Sequence, residues 1–210
     1  MLIPFQKILH DYKITPTGVF HVGGHWAEEA EDYFNAGVDN AIFIEAMPDA
    51  YKKMCRVLAP YPRMAAINEC VGEVDGEKLL FNISNNEGQS SSLLEFGTHL
   101  EAHPEVKFTG KIPVTTKRID TILKERKINI ERYDFLNIDL QGSELSALKS
   151  MGSELAKIKY AYIEVNQKEL YTGCPLIGDI DSFLANFGFE RVALEWCGNF
   201  GWGDALYIKK

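Results

Sequence analysis

Apolar and polar positions follow two alternating periods along the chain. Between short apolar runs, apolar residues recur at helical spacing, as Tyr51, Met54 and Leu58 do after Pro48. The runs, which are typical of buried strands, lie at 18–22, 41–45, 64–71, 78–83, 111–116, 133–139, 158–165, 189–196 and 203–209. The pattern therefore predicts strands that alternate with helices.

This alternation predicts one α/β domain over residues 1–210. Short connections favour a mostly parallel sheet with helices on both faces. Residues 196–202 are too few for a parallel crossover, so the last two strands should form an antiparallel hairpin. Residues 1–16 form an N-terminal extension. The polar segment 84–104 interrupts the rhythm, which predicts a functional insertion or lid that few apolar contacts hold in place.

Composition narrows the possible partners and the compartment. The 210 residues carry a net charge of −8, and no basic face that would bind nucleic acid is visible. No apolar run has the length of a signal peptide or approaches the roughly 20 residues of a membrane span. The four cysteines, Cys55, Cys70, Cys174 and Cys197, form no CxxC pair, which favours reduced thiols without a metal or disulfide framework. We expect a cytoplasmic protein with no nucleic-acid or membrane partner.

Two segments carry the first candidate chemistry. "GVFHVGGHW" ends a strand at Gly23 and Gly24, and "AIFIEAMPD" ends the next strand at Glu45, 21 residues beyond Gly24. In an open α/β sheet, ligands bind at such carboxyl ends, and glycines allow a sharp turn and a close approach to the backbone. A carboxylate at the second strand end can accept hydrogen bonds from ribose hydroxyls. The pair predicts a site for a nucleoside-containing cofactor.

The residues after the glycines help to identify this cofactor. Glu28 and Glu29 lie where a dinucleotide site would present a helix N-terminus to a diphosphate. A cofactor with a ribose but no phosphate fits better, and S-adenosylmethionine is such a molecule. A nicotinamide oxidoreductase and a non-catalytic nucleoside-binding protein remain the alternatives.

A third segment, "FLNIDLQGSEL", ends a buried strand at Asp139. If this strand neighbours the first, Asp139 lies beside the glycine turn, where it can meet the cofactor or the reacting hydroxyl. The alternative is a helix N-cap, a common role for aspartate. A hydroxyl acceptor needs a base, and Asp139 is the first candidate, with Glu164 and His25 as rivals.

Four stretches, in order, carry a family resemblance: "FHVGGHWAEEAEDYFNAG", "FIEAMPDAYKKM", "GQSSSLL" and "DFLNIDLQGSELSALKSMG". They resemble FkbM-type S-adenosylmethionine-dependent methyltransferases over nearly the whole chain, and "IDLQGSEL" resembles the I-D-x-x-G-x-E pattern of that family. The resemblance implies a Rossmann-like class I methyltransferase fold with a seven-stranded sheet. It also implies S-adenosylmethionine as cofactor and methyl transfer to a hydroxyl of a sugar or another small metabolite.

The expected site follows from these assignments. The cofactor-binding residues are expected to be His21, Gly23, Gly24, Glu45, Ala46, Cys70, Val71 and Asp139, although His21 could equally be a hydrogen-bonded core histidine. Ser91, Ser92, His99 and Gln141 are expected to face the acceptor. No metal is expected, because His99 and His103 share a helical spacing without a third ligand. The sequence leaves open whether the chain forms a homo-oligomer.

Four positions depart from the usual family residues. His21 stands where an acid is frequent and Gly24 where alanine is. Asn137 replaces a usual lysine and Gln141 a usual glutamate. The two latter changes remove charge from the floor of the site, which bears on the identity of the acceptor more than on that of the cofactor.

Overall fold

The computed structural model describes all 210 residues. The strands are β1 (Val19–Val22), β2 (Ala41–Glu45), β3 (Met64–Asn68), β4 (Cys70–Val71), β5 (Lys78–Ser84), β6 (Phe108–Lys117), β7 (Phe135–Ile138), β8 (Tyr160–Asn166), β9 (Phe189–Trp196) and β10 (Trp202–Lys209). The helices are α1 (Phe5–Tyr12), α2 (Ala30–Asn35), α3 (Pro48–Leu58), α4 (His99–Ala102), α5 (Ile119–Glu125), α6 (Glu144–Ser150) and α7 (Ile177–Ala185). None of the helices is both long and apolar enough to cross a membrane.

Seven strands form the main sheet in the order β3-β2-β1-β7-β8-β10-β9. The first five strands in this order, from β3 through β2, β1 and β7 to β8, are parallel to their neighbours. β10 pairs antiparallel with both β8 and β9. The predicted mostly parallel sheet with an antiparallel C-terminal hairpin is therefore confirmed. The strand order reverses at β1 and β7, so a ligand site is expected beyond the carboxyl ends of these two strands.

Strand residues alternate between two cores, one on each face of the sheet. Phe20 and Val22 of β1 pack with α5, α6 and α7 in a cluster of 25 buried residues. Val19, on the opposite face, packs with α1, α2 and α3 in a cluster of 16. Helices thus cover both faces, as the pattern predicted.

Three strands lie outside the main sheet, which the sequence pattern did not indicate. β5 and β6 pair antiparallel, and β4 joins β6, to form a second sheet in the order β4-β6-β5. The single strand predicted over 64–71 was wrong, because the chain leaves the main sheet after Asn68 and enters the small sheet at Cys70.

The N-terminal extension contains a helix that was not predicted. Phe5 of α1 packs edge-on against Tyr33 and Phe135, with ring centroids 4.7 and 5.1 Å apart. Phe5 and Ile8 are its two buried residues. Burial of each is worth about 1.5–3 kcal/mol. Helical period was hard to recognise here because only two positions of a short helix face the core.

The segment 84–104 lies over the carboxyl ends of the strands and is held at several points. Ser92 pairs with Asn82 in an isolated bridge, and the Gly97 amide donates to the Leu170 carbonyl at 2.7 Å. Phe96 also stacks on Phe108 with ring centroids 3.8 Å apart and, with Leu94, packs against a small buried cluster around Tyr171. The expectation that few apolar contacts hold the segment is therefore wrong for residues 94–96. Asn85, Glu87 and Gln89 are exposed.

Candidate functional site

A cavity of about 840 Å³ opens beyond the carboxyl ends of β1, β2 and β7. It contains residues from all three segments that the sequence singled out, together with part of the 84–104 segment. The cavity includes every predicted site residue except Ser92. The site therefore forms where the strand order reverses, as expected for an open α/β sheet.

The glycine turn has a steric reason in addition to the sharp turn that was predicted. A Cβ atom on Gly23 would lie 1.7 Å from the Asp139 carbonyl oxygen, and one on Gly24 would lie 2.9 Å from the Phe43 ring. Gly23 also has φ +83°, which disfavours a side chain. Both glycines line the cavity, but protein atoms and not a ligand occupy the space that their side chains would need.

Glu45 ends β2 with a buried carboxylate that faces the cavity. Its two oxygens accept hydrogen bonds from the His25 amide at 2.9 Å and the Met47 amide at 2.8 Å. Burial raises the pKa of Glu45 to about 7, although these two hydrogen bonds favour the charged form. Each oxygen keeps a further lone pair with which it can accept a hydrogen bond from a hydroxyl group.

Ala46, Cys70 and Val71 form an apolar wall beside Glu45. The Asn68 side chain, which the sequence analysis missed, fixes this region by donating to the carbonyls of Glu45 and Ala46 at 2.7 and 3.1 Å. Burial raises the pKa of the Cys70 thiol to about 12, so this thiol stays protonated at neutral pH and acts as apolar wall.

His21 lies deep in the cavity floor and is 3% exposed. Its Nδ1 atom lies 3.3 Å from the Tyr33 hydroxyl, which in turn accepts a hydrogen bond from the Asn137 amide at 2.8 Å. Burial lowers the pKa of His21, so the ring is neutral at neutral pH. His21 is thus both a hydrogen-bonded core histidine and a lining residue.

Three polar side chains meet on the cavity floor: Asp139, Gln141 and Glu164. We call the part of the cavity around Glu45 its first half and the part lined by Ser91 and His99 its acceptor half. The Gln141 side-chain amide donates to Asp139 at 2.7 Å and to Glu164 at 2.6 Å. Asp139 is exposed toward the cavity, whereas Glu164 is buried. Burial, and then the neighbouring Asp139 carboxylate, raise the pKa of Glu164 well above its usual value. Tyr171, which sequence reasoning missed, donates to the side-chain amide oxygen Oε1 of Gln141 at 2.6 Å.

Glu144, the first residue of α6, stabilises the turn that precedes this helix. Its Oε1 atom accepts from the amides of Leu140 and Gly142 at 3.0 and 2.9 Å, just before α6. The N-cap of α6 is Ser143. The N-cap alternative for Asp139 is therefore wrong. The glutamate of the "IDLQGSEL" segment was the available signal, but sequence reasoning did not give it a role.

His25 is a weak candidate for the base because both ring nitrogens are engaged. Nδ1 lies 2.7 Å from Glu28 and Nε2 lies 3.1 Å from the Glu87 carbonyl. Burial alone would lower the pKa of His25, but the hydrogen bonds with Glu28 and Glu87 raise it above its usual value. A ring that donates from both nitrogens has no lone pair with which to accept a proton.

The predicted acceptor residues divide into two groups. Ser91 and His99 line the cavity, and Gln141 holds the carboxylates described above. Ser92 does not line the cavity, so its predicted role is wrong. Ser92 is fully buried, and its hydroxyl donates to the backbone carbonyl of Gln141 at 2.7 Å. This hydrogen bond stabilises the loop that follows β7.

His99, a buried residue of the 84–104 segment, stacks on Phe96 with ring centroids 4.4 Å apart. Its Nδ1 atom has no hydrogen-bond partner in the protein. Burial lowers the pKa of His99 to about 4, so the ring is neutral near pH 7. No group of three or more His, Cys, Asp or Glu side chains has the arrangement of a metal site.

Comparison with known proteins decides the family. Residues 21–191, most of the chain, match the Methyltransferase FkbM domain. The chain belongs to this family. The chain is also 30% identical over 179 residues to the 2-O-methyltransferase NoeI of Sinorhizobium fredii (strain NBRC 101917 / NGR234), a match that covers 76% of this chain and 70% of that protein.

Solved structures show the same fold. A putative tRNA (m1A22) methyltransferase of Streptococcus pneumoniae superposes with a TM-score of 0.54 at 11% identity, over 100% of this chain and 71% of that chain. Magnesium protoporphyrin IX methyltransferase from Synechocystis PCC 6803 gives a TM-score of 0.54 at 11% identity, over 97% of this chain and 74% of that chain. These likenesses confirm the Rossmann-like class I fold.

The FkbM methyltransferase uses S-adenosylmethionine, as the sequence predicted. The site fits a ribose without a phosphate. Glu45 can accept hydrogen bonds from ribose hydroxyls, and the Trp26 amide already donates to Glu28 at 3.0 Å. A diphosphate would meet these carboxylates instead of free amides. The methyltransferase expectation is thus confirmed over the nicotinamide alternative.

Proposed function

We propose that this FkbM methyltransferase transfers a methyl group to a hydroxyl oxygen of a sugar or another small metabolite, with Asp139 as the general base. The observation that carries the proposal is the position of Asp139. It directly follows β7, lines the cavity, and has its backbone carbonyl against Gly23. Its carboxylate accepts from Gln141, whose backbone carbonyl accepts from Ser92 of the 84–104 segment. The S. fredii relative, named a 2-O-methyltransferase, supports transfer to oxygen.

Each half of the cavity has its own task in this proposal. Glu45, with Ala46, Cys70 and Val71 beside it, would hold the ribose and the adenine side of S-adenosylmethionine, which supplies an activated methyl group when bound. Ser91, His99 and the Gln141 region would bind the acceptor. Alignment of the reactants provides much of the rate in such a site.

The proton of the acceptor hydroxyl needs a base, and the three candidates differ in their surroundings. Glu164 is buried with a raised pKa, and His25 donates from both nitrogens. Asp139 is the accessible carboxylate, and Gln141 contacts its Oδ1 atom. Asp139 therefore takes the hydroxyl proton as the oxygen is methylated.

Asp139→Asn tests the proposal. It keeps the side-chain size but removes the base, so kcat should fall roughly 100- to 10,000-fold. The affinity for S-adenosylhomocysteine, by calorimetry, and the melting temperature should change little. Full turnover in a folded variant would overturn the role of Asp139, and methyl transfer to nitrogen or carbon acceptors alone would overturn the assignment to a hydroxyl.

The compartment is part of the same proposal. All four cysteines are free, and Cys70 and Cys174 are buried. Unpaired thiols support a reducing cytoplasmic location for the enzyme and its small-molecule acceptor.

A further inference from the structure

The charge of the cavity lining is one-sided. Its 34 residues include seven carboxyl side chains, and none of the 22 Lys and Arg residues of the chain lines it. Two of these carboxylates pair with cations outside the lining, Glu29 with the N-terminal ammonium at 3.3 Å and Glu69 with Lys117 at 3.1 Å, which leaves five without such a partner. Anionic ligands are usually bound by Arg or Lys, which form charge-assisted hydrogen bonds with phosphate and carboxylate oxygens. The cavity has no side chain of that kind.

Backbone amides are the second means of binding an anion, and here they are already occupied. The amides of five residues around the cavity donate to carboxylates of the protein itself: His25, Trp26, Met47, Leu140 and Gly142. The turn amides of Gly23 and Gly24 donate to the Ile44 carbonyl at 2.9 Å. A phosphate placed at the glycine turn would find backbone amides that already donate to carboxylates or to a backbone carbonyl.

The histidines do not change this balance. His99 is neutral near pH 7, because burial lowers its pKa to about 4. Glu28 lies 2.7 Å from Nδ1 of His25, so any positive charge on that ring is already paired. Burial also lowers the pKa of His21, and Nδ1 of His103 lies 3.8 Å from the Glu105 carboxylate. No histidine of the lining therefore offers an unpaired cation to a ligand.

The acceptor half offers uncharged hydrogen-bonding groups instead. Gln89 presents a side-chain amide at the exposed rim, and the Asn85 and Asn86 side chains and the Ser91 hydroxyl also line this half, although they hydrogen-bond to neighbouring protein groups as well. Nδ1 of His99 is buried without a partner in the same lining, which marks a place for a neutral donor or acceptor from a ligand. Groups of this type bind hydroxyls by neutral hydrogen bonds.

We infer that the acceptor is an uncharged polyhydroxylated molecule, such as a glycoside, and that the pocket excludes its phosphorylated and carboxylated forms. This inference rests on the proposed transfer to a hydroxyl. The inference concerns the charge of the acceptor. A phosphate or carboxylate on the acceptor would lie beside the carboxylates of the cavity, and like charges brought together oppose binding.

Matched acceptors test the inference directly. Methyl glucopyranoside, its 6-phosphate and methyl glucuronoside share a ring and differ in charge. With S-adenosylmethionine present, kcat/KM for each anionic form should be roughly 10- to 100-fold below that for the neutral form. Added salt should narrow the gap, because it screens charge. Equal or preferred use of the phosphate would overturn the inference.

A second measurement needs no turnover. Gln89→Cys places a thiol on the exposed rim of the cavity, and Ser153→Cys places one on an exposed turn before β8, at the opposite edge of the sheet. Each variant also carries Cys55→Ser and Cys197→Ser, which remove the two accessible native thiols. Each is labelled with a cationic and an anionic methanethiosulfonate, and the ratio of the two rates is compared. The control variant corrects for the overall charge of −8.

We expect the ratio of cationic to anionic rate to be roughly tenfold higher at position 89 than at position 153 in low salt. The difference should vanish near 1 M salt, where the Debye length is about 3 Å. Equal ratios in low salt would overturn the inference. If no hydroxyl compound is methylated while the labelling difference persists, the proposed function fails and the charge of the cavity stands.

Discussion

The side-chain amide of Gln141 lies 2.6 Å from the carboxylate of Glu164 and so joins two strand ends, since Gln141 follows β7 and Glu164 lies in β8. The same nitrogen donates to Asp139 at 2.7 Å. Gln141 has φ +52°, an uncommon backbone conformation for a residue with a side chain. The Tyr171 hydroxyl and this backbone conformation hold the amide between two carboxyl groups that would otherwise repel each other.

Gln141→Leu should move the acidic limb of the kcat–pH profile to higher pH. Loss of a donor to a charged carboxylate disfavours the charged form, and such a hydrogen bond is worth about 1.5–3 kcal/mol. The expected shift is therefore about one to two pH units at 1.36 kcal/mol per unit. Steady-state kinetics between pH 5 and about 9 at saturating S-adenosylmethionine would measure it.

Gln89→Leu is the matched control, because it makes the same replacement on the exposed rim. It should leave the acidic limb in place. If Gln141→Leu also leaves it in place, Gln141 does not stabilise the charged form of the carboxyl pair.

Cofactor binding should depend on pH through Glu45. The pKa of Glu45 is about 7 in the free protein because of burial, and ribose hydroxyls that donate to the carboxylate favour its ionised form. Affinity for S-adenosylhomocysteine should therefore rise with pH. Between pH 6 and pH 8 the ionised fraction grows from about one tenth to about nine tenths, so the gain should be roughly tenfold. Calorimetry at the two pH values is the measurement.

Glu45→Gln separates this carboxylate from other groups that titrate nearby. The variant should bind S-adenosylhomocysteine roughly 10- to 150-fold more weakly at pH 8, because it loses a charge-assisted hydrogen bond. Its affinity should also lose most of the pH dependence. An equal pH dependence in the wild type and the variant would assign the effect to another group.

The sequence predicted the main sheet well because its signals are local. Apolar runs placed β1, β2, β7 and β8 within a residue or two, and the short connection at 196–202 specified the antiparallel hairpin. The sequence also predicted that Gly23, Glu45 and Asp139 lie close together, because the carboxyl ends of neighbouring parallel strands lie at the same edge of a sheet.

Other features depend on contacts that the sequence does not display. The steric reason for Gly23 is the Asp139 carbonyl on the neighbouring strand, which only the register of β1 and β7 reveals. Tyr171 reaches Gln141 across 30 residues, and Ser92 supports the same loop across 49. The small sheet was missed because β5 and β6 have the same apolar pattern as strands of the main sheet.

Glu144 should be important for the stability of the fold. Glu144→Ala would leave the buried amides of Leu140 and Gly142 without their acceptor, which should lower the free energy of unfolding by about 2–4 kcal/mol. Glu154→Ala, which breaks an exposed pair with Lys157, is the control and should cost less than about 1 kcal/mol. Urea denaturation measures the free energy of unfolding of both variants. Equal losses in the two would contradict the role of Glu144 as acceptor for the Leu140 and Gly142 amides.

The charge on Glu144 adds a pH dependence with a definite sign. Burial raises its pKa from 4.5 to about 7, so between these values the folded state binds more protons than the unfolded state. The free energy of unfolding should therefore fall as pH rises from about 4.5 through 7. Glu144→Gln, which cannot ionise, should reduce this slope, and an unchanged slope would show that other carboxyl groups cause it.

The segment 84–104 combines a fixed part with an exposed part. The Ser92 amide donates to the Asn82 carbonyl at 3.1 Å, and Gly97 lies against the Glu169 carbonyl, so both positions should resist hydrogen exchange. Asn85, Glu87 and Gln89 are exposed. Any closure over the acceptor should therefore involve residues 85–89, and low local stability is common in such elements.

Replacement of residues 86–89 by two glycines tests this closure while it keeps Ser90 and Ser91, which hydrogen-bond to Ser84. Lids exclude water and complete a site, so kcat/KM for the acceptor should fall by more than roughly tenfold, whereas affinity for S-adenosylhomocysteine should change by less than about threefold. Hydrogen exchange of the wild type should slow at 85–89 only when acceptor and S-adenosylhomocysteine are both bound. Gly110, an exposed residue of β6 with open space around its Cα, offers a control in Gly110→Ala, which should alter neither quantity. If the shortened enzyme methylates its acceptor at the normal rate, residues 85–89 are a surface loop, and the fixed residues Ser91 and His99 must bind the acceptor without closure.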